Sequence, residues 1–145
     1  MVRVTRAIEF SSSLRYRVAD WSEEENRSRF GVRANQHGHN YRLEVTVRGE
    51  PDPVTGMVIN LTELRDILER EVMVRFDHKD LNRDTDYFEK RPPTPENLAW
   101  VIHQVLIEAL PAGMFDRLRL HQESDLYVDV VGEDVVGQGA VGAGA

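Results

Sequence analysis

The sequence predicts an α+β fold: an antiparallel four-stranded sheet with two helices on one face, in the order β-β-α-α-β-β. Three observations carry this. Tyr41, Leu43, Val45 and Val47 alternate with Arg42, Glu44, Thr46 and Arg48, the period of a half-buried strand. Leu61, Leu64, Ile67, Leu68 and Val72 recur at helical spacing, so one helix face turns inward. Thr94-Pro95-Glu96-Asn97 is a helix start, with a Thr cap followed by Pro where no N–H is needed.

Taken in order, Val2, Val4, Ile8 and Phe10 share one parity and mark a first strand that ends near Ser13. The charge-dense stretch DWSEEENRSRF (20–30) reads as a solvated connection with at most one helical turn. PDPVTG (51–56) is a turn in which Gly56 is free to take a positive φ. The first helix covers 61–76, and the polar loop after it is stopped by Pro92 and Pro93. The second helix carries Leu98, Val101, Ile102, Val105 and Leu106 inward and ends at Pro111. Residues 117–123 and 126–131 read as two closing strands. Residues 1–132 thus form a single domain. The tail 133–145, ending GQGAVGAGA, offers nothing large to bury and is expected to be disordered.

At 145 residues, 41% hydrophobic and 30% charged, the chain has the profile of a globular domain that needs no staples to form a core. No apolar run approaches the roughly 18 residues of a membrane span. MVRVTRAIEF lacks the unbroken apolar stretch of a signal peptide, so a cytoplasmic location is expected. The absence of Cys excludes a disulfide framework, a thiolate metal site and a Cys nucleophile. A net charge of −7 argues against nucleic acid as a partner.

Three motifs could carry chemistry. In His37-Gly38-His39-Asn40-Tyr41, residues i and i+2 of a strand share a face, so two imidazoles stand side by side as zinc ligands would. The same pattern also fits an ordinary solvated strand start. Asp77-His78 places a carboxylate beside an imidazole, a proton acceptor tunable near neutral pH, or else a turn with an exposed His. Glu123, near a strand end, could accept two parallel N–H bonds from the amino-pyrimidinone edge of a heterocycle, or be an exposed Glu. His103 and His121 have no evident partner in the sequence.

Their joint order is more specific. Phe10-Ser-Ser-Ser, His37-Gly-His-Asn-Tyr, Thr55-Gly-Met-Val, Phe76-Asp-His-Lys-Asp-Leu-Asn, Pro93-Thr-Pro-Glu-Asn-Leu-Ala and Gln122-Glu-Ser follow one another along nearly the whole chain. This set resembles the 6-pyruvoyltetrahydropterin synthase / 6-carboxytetrahydropterin synthase family. The resemblance implies a tunnelling (T-) fold whose sheets join into a trimeric barrel. Two barrels stack as a homohexamer with active sites between subunits. It also implies three zinc-binding histidines, the metal lowering the pKa of the substrate's side-chain hydroxyls. A Cys aided by an Asp–His pair would move protons as triphosphate leaves dihydroneopterin triphosphate, and a strand-end Glu would anchor the pterin. Carried over residue by residue, His37 and His39 would bind metal, and Asp77 and His78 would transfer protons. Glu123 would hold the ring, with Thr94 near its edge.

The sequence departs from that pattern at three places. Leu14 stands where the first zinc His is expected, Arg33 at the Cys position, and Asn60 where an Asp is frequent. Leu cannot coordinate a metal, and Arg stays protonated. Zinc is therefore expected to be weak or absent, with no organic cofactor. The leading expectation is an enzyme of altered chemistry: lyase-, aldolase- or cyclase-type proton transfer on a pterin-like or other planar heterocyclic small molecule. Arg33 would grip an anionic group on that substrate. The alternatives are a non-catalytic ligand-binding homologue, or partner of an active paralogue, and an ordinary 6-pyruvoyl- or 6-carboxytetrahydropterin synthase. A homo-oligomer is expected, with no nucleic-acid or membrane partner.

Overall fold

Alternation brings two long strands together. In the computed structural model, which describes residues 1–133, β1 (Val2–Leu14) and β2 (His37–Gly49) pair antiparallel along their whole length. The expected disordered tail lies, from residue 134, outside the described residues. β4 (Phe115–Glu123) pairs antiparallel with β2, and β5 (Leu126–Val131) with β4. The inward set includes Phe10, Leu14, Tyr41, Leu43, Val45, Leu118 and Leu120, all buried. The outward set is charged: Arg119 makes two bonds to the Asp129 carboxylate (2.8 and 3.0 Å), and His121 faces Glu44 at 3.4 Å. That one-sided wetness is what an antiparallel sheet permits.

Two helical runs cover the inner face. Asn60 caps α2 (Leu61–Leu68), its Oδ1 accepting the Thr62 N–H at 2.9 Å, a task Asn performs as well as Asp. The helix continues through a π turn (Glu69–Met73) into α3 (Val74–Phe76), and Leu64, Ile67, Leu68, Val72 and Phe76 are buried. α4 (Pro95–Ala109) starts as its sequence predicts: Thr94 Oγ1 accepts the Asn97 N–H at 3.1 Å. Gly56 takes φ +74° in the 51–56 turn.

Two expectations need correction. The connection at 20–30 holds a two-turn helix, α1 (Glu23–Phe30), preceded by Ser22 as its cap. It has no apolar stripe, which is why its periodicity is silent. Its first turn carries Glu23, Glu24 and Glu25 and its last turn Arg27 and Arg29, a charge order that suits the helix dipole. Buried Asn26 ties it down: its Oδ1 accepts the Val18 N–H, and its Nδ2 donates to the carbonyls of Val18 and Ser22. Secondly, the sheet is neither four-stranded nor purely antiparallel. Lys79 and Asp80 form a short β3 parallel to Ser12 and Ser13, giving five strands among the described residues in the order β3-β1-β2-β4-β5. Two residues are too few to show a strand period.

Candidate active site

The strand ends build the site. Leu14, the last residue of β1, lies opposite His37, and Ser12 opposite His39, so Leu14, His37, His39 and Tyr41 share the inner face. The two imidazole rings are 5.1 Å apart, edge to face, and His39 is 5.7 Å from the Tyr41 ring. Gly38 lets the strands close up: a Cβ there would meet the Ser12 carbonyl oxygen at 3.2 Å. His37 Nδ1 is 2.7 Å from the Asn35 carbonyl, which can only accept, so Nδ1 carries a proton. Burial first, then the neighbouring His37, holds the His39 pKa below the ordinary value; Glu123 opposes this and Arg33 adds to it. His39 is therefore neutral at pH 7.

Arg33 lies in a short 3₁₀ turn (Gly31–Ala34), and its carbonyl accepts the Tyr16 N–H at 2.8 Å. This bond fastens the α1 segment to the end of β1. Tyr16, which the sequence reading passed over, is buried, with its ring 6.0 Å from His37 and edge-on to Phe30 at 5.8 Å. Its pKa is raised chiefly by burial; Arg33 acts against that rise, while Glu96 and Glu123 add to it. Charges from three separate elements thus converge on one phenol, which stays protonated at neutral pH. Glu96 stands two residues past Thr94, so the start of α4 borders the same space.

Glu123 ends β4, with its side chain 56% exposed and Oε1 4.0 Å from His39 Nδ1. The register slips between His121 and Glu123, and Gln122, in phase with the buried Leu118 and Leu120, is turned inward and only 6% exposed. Gln122 Oε1 and the Tyr41 hydroxyl are both buried without a hydrogen-bond partner. Such orphaned groups call for an explanation in a folded protein. Gln122 shares the parity of buried Leu118 and Leu120, and that alternation is the sequence signal that could have found it.

Asp77 and His78 lie on the other side of β1. The Asp77 carboxylate accepts the Ser11 N–H at 3.0 Å, which is the main cause of its lowered pKa, and stands 3.0 Å from His78 Nδ1. His78 N–H donates to the Ser11 carbonyl at 2.6 Å, and His78 takes φ +57°, the only positive φ outside glycine among the described residues. Its side chain is 83% exposed. His78 and His39 border a shared hollow of about 530 Å³ over Ser11, Ser13 and Asn40. His37, Arg33, Thr94 and Glu123 do not line that hollow. The chain therefore places two groups of candidate residues apart: Asp77 and His78 at the sheet edge, and His37, Tyr16 and Glu123 at the strand ends, with His39 bordering the hollow beside His78.

These residues do not fit a complete zinc centre. Leu14 offers no donor, and no group of three or more His, Cys, Asp or Glu side chains converges among the described residues. Zinc sites normally use at least three protein ligands.

The family model described as "6-pyruvoyl tetrahydropterin synthase" matches residues 3–133. The chain is 43% identical over 132 residues to a 6-pyruvoyl tetrahydrobiopterin synthase of Poecilia reticulata, covering 90% of each chain. It is 41% identical over 133 residues to that of Homo sapiens, covering 90% of this chain and 92% of the human one. The solved 6-pyruvoyl tetrahydropterin synthase of Caenorhabditis elegans superposes with a TM-score of 0.84 at 29% identity, over 91% of this chain and 96% of that one. On the match of nearly every described residue, the chain belongs to the 6-pyruvoyl tetrahydropterin synthase family of enzymes.

Proposed function

We propose that the protein is a lyase of this family's own type, eliminating triphosphate from dihydroneopterin triphosphate at a site completed between two subunits. This reading takes precedence over altered chemistry and over a non-catalytic role. Relatives that share 41–43% of the sequence over nine-tenths of the chain bear the synthase name. The observation that carries it is the pinned Asp77–His78 pair. Anionic Asp77 accepts from Nδ1–H of the imidazole, and in that tautomer Nε2 is the nitrogen available as a base at the sheet edge. That base takes a carbon-bound proton from the substrate side chain. The electron pair forms the new double bond as the C–O bond to triphosphate breaks, and triphosphate leaves with its own pair.

The pocket of the neighbouring subunit holds the heterocycle. Gln122 Oε1 and the Glu123 carboxylate accept ring N–H groups, and the partnerless Tyr41 hydroxyl gains a bond in the same event. Thr94 lies at the ring edge, where its hydroxyl can still donate. Arg33, beside Tyr16, attracts an anionic oxygen on the side chain as charge develops. No step is routed through a metal, because the donor set at Leu14, His37 and His39 does not complete one.

The test is turnover of dihydroneopterin triphosphate, followed by triphosphate release. Wild type is expected to turn over, and His78→Ala to lose about 100-fold or more in kcat with little change in KM. A folded wild-type oligomer that releases no triphosphate would sink the reading.

A further inference from the structure

The segment just past β1 (15–18) belongs to no strand, yet polar bonds from three other parts of the chain fix it. Asn82 accepts the Arg15 N–H at 2.8 Å and donates to the Arg15 carbonyl at 3.0 Å. The Arg33 carbonyl accepts the Tyr16 N–H, and Asn26 Oδ1 accepts the Val18 N–H at 2.8 Å. Between these anchors Tyr16 keeps the inward parity of Phe10 and Leu14. Its backbone is held on both sides.

The Tyr16 ring lies edge-on to Phe30 and 6.0 Å from His37, contacts that a Phe would make equally well. The hydroxyl is what packing leaves over. It makes no hydrogen bond among the described residues, and unlike the Tyr41 hydroxyl it is not sealed from solvent. In a residue only 8% exposed, the oxygen is therefore part of what shows. Arg33 acts on it from the 3₁₀ turn, Glu96 from the start of α4 and Glu123 from the end of β4. Arg33 also acts on His39, and Tyr16 acts on the Tyr41 phenol, whose pKa is raised first by burial and then by this neighbour. These residues surround one space at the strand ends, and the hydroxyl opens into it. The exposed Arg33 side chain has no ion pair and no side-chain hydrogen bond among the described residues.

We propose that Tyr16 touches the substrate: its O–H donates to the oxygen on the substrate carbon that loses its proton, with the Arg33 guanidinium as second donor. For its chemistry this rests on the lyase reading above. When triphosphate leaves, that oxygen belongs to an enol. As the enol becomes a ketone, its O–H proton departs and a proton joins the carbon that carried triphosphate, so negative charge gathers on the oxygen. A fixed phenol and a guanidinium stabilise such an oxyanion while keeping their own protons. The same two donors select heterocycles with an anionic oxygen at this position.

Tyr16→Phe tests this in the full-length protein, because it keeps the ring and removes only the hydroxyl. Fluorescence titration compares pterin-6-carboxylate with unsubstituted pterin and needs no turnover. Wild type should bind the carboxylate at least about tenfold more tightly, and Tyr16→Phe should weaken the carboxylate about tenfold and pterin less than twofold. With dihydroneopterin triphosphate, Tyr16→Phe should lose about 100-fold in kcat with KM changed less than about threefold. Arg33→Gln, at an exposed position, repeats the titration without touching the ring packing, and it too should weaken the carboxylate about tenfold. Equal affinity of wild type for the two pterins overturns the proposal. If wild type turns over and Tyr16→Phe keeps either its kcat or its preference for the carboxylate, Tyr16 falls and the lyase stands. If wild type releases no triphosphate but Tyr16→Phe loses the preference, the lyase falls and Tyr16 stands as the residue that reads the side chain.

Discussion

His78 holds a backbone conformation that costs an L-residue roughly 1–2 kcal/mol, and it is fixed there by its N–H bond to Ser11. Strain of this kind is tolerated where neighbouring structure enforces it, often at functional positions. Two replacements that both remove the imidazole therefore separate strain from chemistry. His78→Gly should be more stable than His78→Ala by about 1 kcal/mol in urea denaturation, while both are inactive. Equal stability would mean that the backbone is not strained at this point. Leu14 is the other telling position. It is fully buried opposite His37, and Leu14→His supplies the third imidazole. Zinc affinity should rise by at least about two orders of magnitude in a competitive chelator titration, because a third protein ligand closes the site. Wild type that keeps one zinc per chain through the same titration contradicts this. The motifs at 37–39 and 77–78 were legible in the sequence because strand parity and adjacency alone bring their side chains together. Tyr16 was not, since it lies beyond the end of β1 and is held there by a backbone bond to Arg33, whereas Gln122 was open to the strand parity of Leu118 and Leu120 but, being polar, did not stand out as an inward residue.

Among the elements, those with an apolar period were readable: β1, β2, α2 and α4 lie where their alternation or helical spacing places them. α1 is held by polar bonds and aromatic edges instead. Trp21 stacks on Phe30 at 5.7 Å, Arg29 lies 5.2 Å from the Trp21 ring, and Asn26 bridges the loop to the helix. Such an element leaves no periodic trace. Asn26→Ala removes those bonds and strands buried carbonyls, so it should cost about 2–3 kcal/mol in denaturant unfolding. It should also raise the KM for any ligand that needs Arg33, because α1 leads directly into that residue. A loss under about 0.5 kcal/mol would show that the aromatic contacts suffice. The π turn is a further departure: the sequence reads as one continuous helix from 61 to 76, yet five residues within it adopt the wider turn.

For the molecule as a whole, acid stability follows from its partly buried imidazoles. His103 sits between Trp100 (5.0 Å) and Phe115 (4.9 Å), and burial lowers its pKa. As pH falls below the usual imidazole value near 6.5, the unfolded chain takes up the proton first, so stability is full above that pH and declines beneath it. Urea midpoints should fall between about pH 7.5 and 5.5, and His103→Gln should shrink the fall. An unchanged slope would assign the effect to other groups.

The sheet edges bear on assembly. Below Phe10, β1 has no partner on its outer side among the described residues, and β5 is likewise open, so the sheet has two bare edges that an oligomer would cover. Light scattering is expected to give a multimer, and a monomer at micromolar concentration would contradict it. The separation of Asp77 and His78 from the strand-end residues then has a genetic consequence. If each working centre draws His78 from one copy and the pocket from its neighbour, two dead variants can revive each other. His78→Ala keeps an intact pocket, and Gln122→Ala/Glu123→Ala keeps an intact base. Unfolded together and refolded as mixed assemblies, they should recover up to about one quarter of wild-type turnover, the share of junctions that pair one good base with one good pocket. Either variant refolded alone has no such junction and stays silent.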